Sequence, residues 1–142
     1  MKKNTKGFTL IELLAVIVIL AIIALIATPI VLNLINTARK GAAARSAEGI
    51  RSSLKTQYFA HQVENPDAAL AEVKVDFTGA TEGTEVTEYG VKLGDVIDGK
   101  LPTAGEVTIS TDGKVTTTKK LVIDGFYCEF GDTKAATCTK NS

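Results

Sequence analysis

The chain has 142 residues, 45% of them hydrophobic and 23% charged, with 16 Lys or Arg against 16 Asp or Glu. That length accommodates one membrane segment and one small domain of about 100 residues, and excludes two full domains. Residues 39–142 carry 13 Lys or Arg against 15 Asp or Glu, a balance near −2, so no field gathers nucleic acid.

The chain opens on a short basic leader with Lys2, Lys3 and Lys6, which runs into Gly7-Phe8-Thr9-Leu10-Ile11-Glu12-Leu13. From Phe8 to Ala38 the only ionisable side chain is Glu12, and residues 13–27 are all apolar. Crossing a hydrocarbon core of about 30 Å takes ~20 helical residues, which this stretch supplies. A secretory signal has a shorter apolar core, of about 7–15 residues, and leaves through a small-x-small site. Within residues 13–35 no small residue is followed two positions later by another. The segment is therefore expected to stay in the chain. The leader lysines should remain cytoplasmic and the C-terminal part should lie outside.

Glu12 needs a physical account, because a carboxylate in a bilayer helix is costly, though less so near the interface. Taken alone it reads equally as a tolerated interfacial group. Cleavage between Gly7 and Phe8 would remove three positive charges and create an α-amine one helical turn from Glu12. In helices packed with an axial stagger, the amine of one copy could meet the carboxylate of the next. Pairing would then offset desolvation only in the assembled state, which fixes register.

This N-terminal pattern resembles the processing and methylation motif of type IV prepilins and pseudopilins. It consists of the basic leader, the Gly7–Phe8 junction, Glu12 at the fifth mature position and the long apolar helix with Pro29. The resemblance covers about residues 1–40. It implies a membrane peptidase that cuts after Gly7 and methylates Phe8, and a docking role for Glu12 and Phe8. It also implies a homo-polymer with minor pilins, an assembly platform with a separate ATPase, and the bilayer as host before assembly. The family often carries a glycine in mid-helix where this chain has Ala21, a strong helix former. Pro29 removes its own donor and clashes with the carbonyl of Leu25, so a kink is expected there.

Beyond Arg39 and Lys40, Ala43, Ala47, Ile50, Leu54 and Tyr58 fall on one helical face. Arg45, Glu48, Arg51 and Lys55 read as the opposite, polar face. One helix from Phe8 to about Gln62, before Asn65-Pro66, is the expectation. At 1.5 Å per residue such a helix is about 80 Å long, so its first half must lie in lipid or against other copies. His61 shares the face of Ile50 and Leu54 and reads as a packing residue.

Pro66–Glu72 could form one or two helical turns, and Val73–Phe77 alternates like a strand. Thr78–Thr87 reads as loop. Tyr89–Ile97 reads as a weak strand, and Asp98-Gly99-Lys100 as a turn. Glu106–Ser110 and Lys114–Thr118 flank Asp112-Gly113, the signature of a hairpin. The run Leu121–Phe130 can pair beside it. Its apolar side would close on Ile50, Leu54 and Tyr58. The expected fold class is α+β: a long N-terminal helix whose second half carries a small antiparallel sheet.

Cys128 and Cys138, the only cysteines, would form a disulfide after export, worth about 2–3 kcal/mol if unstrained. The bridge would either pin a C-terminal tail or close a surface loop for adhesion or subunit contacts. Two cysteines and one histidine are too few for a closed zinc site. There is no Gly-rich phosphate loop and no nucleophile elbow, so neither an enzyme nor a cofactor is expected. The expected organisation is a cleaved leader at 1–7, a membrane and assembly helix at 8–38, and an extracellular head at 39–142. The expected function is a structural subunit of a type IV pilus, serving adhesion, motility or DNA uptake at the cell surface. A pseudopilin of a type II secretion or competence system is the alternative. A monomeric membrane-anchored binding module is a third reading.

Overall fold

The computed structural model describes residues 7–68, 71–86, 89–97 and 99–141. The chain divides into two compact units, one ending at Thr37 and the other beginning at Ala38. Helix α1 (Leu10–Glu64) contributes residues to both, and it starts and stops within two residues of the expected limits. In the first unit every large apolar side chain from Phe8 to Ile35 is exposed.

The second unit is an α+β head, pilin-like in architecture. Its five-stranded antiparallel sheet has the order β1-β4-β5-β6-β7. The strands are β1 (Val73–Asp76), β4 (Ala104–Ile109), β5 (Val115–Ile123), β6 (Phe126–Glu129) and β7 (Thr137–Lys140). A separate two-stranded ladder joins β2 (Glu85–Val86) to β3 (Val91–Lys92). Alternation in β1 and β4 buries Val73, Val75, Val107 and Ile109 on one side, as a half-buried strand requires. That side shares one core with Ala43, Ala47, Ile50, Leu54 and Tyr58 of α1, together with Phe77, Val115, Leu121 and Ile123. The small Ala43 and Ala47 and the larger Ile50, Leu54 and Tyr58 are all buried there.

The hairpin of β4 and β5 forms in the register set by its turn. Ile109 faces Val115, Ser110 N–H donates to Lys114 O at 2.9 Å, and Gly113 N–H donates to Ser110 O at 2.8 Å. Gly113 has φ +78°, and a Cβ there would lie 2.9 Å from the Tyr58 ring. Tyr58 Oη in turn donates to Thr111 O at 2.7 Å, so the turn is fastened to the helix at its carbonyl and at its glycine.

Several sequence expectations need correction. Leu121–Phe130 is not one strand: Leu121–Ile123 ends β5, and Asp124-Gly125 turns the chain into β6. Asp124 has φ +50° and Gly125 φ +80°, the conformation of a type I′ hairpin turn. Within Tyr89–Ile97 the expected weak strand is the short β3, and the single turn α2 (Leu93–Val96) follows it, with the buried Leu93 side chain in the core. Thr78–Thr87 contains β2 as well as turns, with Thr87 outside the described residues. After Asn65 the chain makes a turn rather than a helix up to Ala68, with 69 and 70 outside the described residues. Of the expected turn at Asp98-Gly99-Lys100, Asp98 lies outside them too.

The polar face of α1 finds partners that the sequence does not show. Arg45 is exposed, but Glu48, Arg51 and Lys55 turn toward the segment 131–136 and bind it. β7 has no counterpart in the sequence reading. Cys138 lies on it directly opposite Cys128 of β6, and the two are joined by a disulfide. The bridge therefore staples the edge of the sheet. His61 lies 5.4 Å from the Tyr89 ring, tilted against it at the end of α1.

Candidate processing and assembly site

Gly7, Phe8 and Thr9 precede the first helical residue and have no regular structure. Phe8 is 93% exposed. The peptide bond between Gly7 and Phe8 thus lies in irregular, accessible chain. Backbone free of helix is what a peptidase must bind, whereas a helical segment has its amides engaged.

The helix start has a specific geometry. Glu12 Oε2 accepts the Thr9 N–H at 2.8 Å, and Thr9 Oγ1 accepts the Glu12 N–H at 3.3 Å. Leu13 N–H donates to Thr9 O at 3.2 Å, the first backbone bond of α1. This is a capping box, two orphan amides satisfied reciprocally by side chains three residues apart. Glu12 is also placed well for the positive end of the helix dipole. Among the described residues it makes no ion pair. The Thr9-x-x-Glu12 spacing is itself the signal in the sequence that points to this cap.

Further along, the hydroxyls fold back on the helix. Thr28 Oγ1 donates to Ala24 O at 2.6 Å, and Thr37 Oγ1 donates to Asn33 O at 3.0 Å. Such back-bonding satisfies a hydroxyl without water, as an apolar surrounding demands. Pro29 sits inside α1 with helix assigned on both sides of it, and it has no N–H to give to Leu25. α1 is long and apolar enough to cross a membrane, by length and composition.

At the start of the second unit, Arg39 meets the turn between β5 and β6. Arg39 Nε donates to Asp124 Oδ2 at 2.9 Å, and Lys100 Nζ lies 3.2 Å from Asp124 Oδ1. The hydrogen bond from Arg39, and then that from Lys100, hold the Asp124 carboxyl at about 2, well below the usual range. Arg39 is raised in return. The turn that sequence reasoning missed is therefore anchored to the helix by charge.

The remaining residues singled out from sequence stay apart from this segment. Cys128 and Cys138 are fully engaged with each other in the sheet. No group of His, Cys, Asp or Glu able to hold a metal ion occurs among the described residues.

A long helix with an uncharged first half, a capped start bearing one carboxylate, and an antiparallel sheet on its second half define a pilin-like protein. Residues 2–28 match the family model described as the prokaryotic N-terminal methylation motif, the signature of type IV pilins and pseudopilins. Comparison with curated proteins and with solved structures finds no match.

Proposed function

We propose that this chain is a structural subunit that polymerises through its N-terminal helix into a type IV pilus filament. In this reading a prepilin peptidase cuts between Gly7 and Phe8 and methylates the new amine of Phe8. Residues 8–38 hold the subunit in the membrane as a single pass until assembly, and residues 39–142 form the head outside. Pro29 kinks the helix. Energy for assembly comes from a separate ATPase at a membrane platform, and minor pilins join the polymer.

The observation that carries the proposal is the state of Glu12. It is the only ionisable side chain from Phe8 to Ala38, and in the single chain it is satisfied by Thr9 alone among the described residues. That arrangement supports an exchange. The Thr9 amide stabilises the carboxylate while the chain is a monomer. The α-ammonium of a neighbouring Phe8 then offers a donor that itself carries charge, so the contact becomes an ion pair. The carboxylate changes partner only when a second copy stands at the correct stagger, so assembly and register are set by one group.

The test compares Glu12→Ala and Glu12→Gln with the unaltered chain in cells. Both variants should leave full amounts of processed monomer in the membrane while sheared surface filaments fall at least tenfold. Glu12→Gln retains the reach of the side chain and discriminates charge pairing from simple capping. Filament counts unchanged in both variants, by electron microscopy, would overturn the docking role and favour a plain anchor.

A further inference from the structure

The last strand has few holds of its own. β7 is an edge strand of four residues and pairs with β6 alone. The connection between them, residues 130–136, is too long for turn type to dictate the register, as a two-residue loop would. A slip of one residue would send the Cys138 side chain to the other face of the sheet. Yet Cys138 lies directly across from Cys128, and both are buried.

Helix α1 supplies the missing constraint. Arg51 Nη1 donates to the carbonyls of Gly131 at 3.0 Å, Asp132 at 3.3 Å and Lys134 at 3.0 Å. Its other terminal nitrogen pairs with the Glu48 carboxylate, and Glu48 accepts the Ala136 N–H. Lys55 Nζ adds a contact at 3.2 Å to Asp132. The Arg51 guanidinium also lies 5.9 Å from the centre of the Phe130 ring. These holds reach to within two residues of Cys138, and none of them uses sulfur.

We infer that Glu48 and Arg51 are a template for the Cys128–Cys138 bridge: they fix residues 131–136 on the helix so that the two thiols face each other before oxidation. Both are positioning residues. In the chemistry they serve, one cysteine thiolate attacks a sulfur of a disulfide oxidant, forming a mixed disulfide and expelling one thiolate. The second cysteine thiolate then attacks the mixed disulfide at the first cysteine's sulfur and expels the second thiolate. Two electrons pass to the oxidant, and the two protons of the cysteine thiols end on the expelled thiolates or in water. The template acts on the second attack, where proximity of the remaining thiol sets the rate.

The test uses the full chain, reduced in detergent micelles and then given oxidised glutathione, with alkylation quench and intact-mass readout. The unaltered chain should close with little mixed glutathione disulfide. Arg51→Met keeps the apolar stem and removes the donors. It should slow ring closure about tenfold, the worth of one charged hydrogen bond, and the mixed disulfide should accumulate. Arg51→Lys should fall between the two. Closure of Arg51→Met at the unaltered rate, without accumulation, overturns the inference. A second measurement does not depend on how that variant folds. In a chain carrying Cys128→Ala and Cys138→Ala with Arg51 intact, the Ala136 amide should remain protected from hydrogen exchange. Exchange there at the rate of an unfolded peptide means that the bridge creates the order, and the inference fails.

Discussion

Gly113→Ala perturbs the head at the point where the β4–β5 turn touches α1, and the structure supplies its own control. Two costs act at Gly113. An L-residue at φ +78° pays the left-handed penalty, about 1–2 kcal/mol. The new methyl would also stand 2.9 Å from Tyr58 Cε1 and 3.1 Å from Phe59 Cζ, an overpacking worth about 1–3 kcal/mol. Together the loss is about 2–5 kcal/mol. At about 4–8 °C per kcal/mol for a domain of this size, the head should melt about 8 °C lower or more. Gly125 has almost the same backbone, φ +80°, but a methyl there meets nothing within 4 Å. Gly125→Ala should therefore cost the backbone share alone, about 1–2 kcal/mol. Thermal unfolding of both variants in micelles, followed by circular dichroism, reads the difference. Equal losses at the two positions would refute the reasoning, because they would show that the rings of Tyr58 and Phe59 do not constrain the turn.

Acid stability offers a second test. The Asp112 and Asp124 carboxyls titrate at about 2 in the folded head, Asp112 chiefly through Lys114 and then Ser110. Their unfolded value is near 3.9, so their contribution is fully present above about pH 4 and is lost as the pH falls toward 2. Asp124→Asn should flatten that acid limb in a denaturation series between pH 5 and 2, and an unchanged limb would remove Arg39 and Lys100 as the cause. Intact-mass measurement of filament material should give a chain that starts at Phe8 and carries one added methyl group; a chain still starting at Met1 contradicts processing at Gly7.

Legibility followed the strength of local patterning. The α1 helix and its buried face could be read because Ala43, Ala47, Ile50, Leu54 and Tyr58 repeat at helical spacing, and tertiary packing uses that same face. The Asp112-Gly113 turn could be read because that pair is a hairpin signal and lies between an alternating run, Glu106–Ser110, and the β-branched run Val115–Thr118. The turn at Asp124-Gly125 was missed because apolar residues continue on both sides of it, so hydrophobicity gives no punctuation. β7 was missed because Thr137, Thr139 and Lys140 are exposed and carry no apolar alternation. Its place in the sheet comes from pairing with β6. The partners of the charged side of α1 were not legible, because periodicity cannot show that carbonyls elsewhere in the chain will converge on Arg51. At the candidate site, the Gly7–Phe8 junction and Glu12 stand out by composition. The reciprocal cap with Thr9 was present as a spacing but needed geometry to be noticed.

Covalent stapling at the sheet edge has a mechanical corollary. A terminal strand pulled from its free end peels, its ladder contacts breaking in sequence. Beyond Cys138 lie the pairs of Lys140 with Phe126 and of Thr139 with Tyr127, and the bond from Asn141 N–H to Gly125 O at 3.0 Å. Tugging at the C-terminus can therefore break these contacts before the load reaches a sulfur–sulfur bond, and the rest of the strand is shielded from fraying.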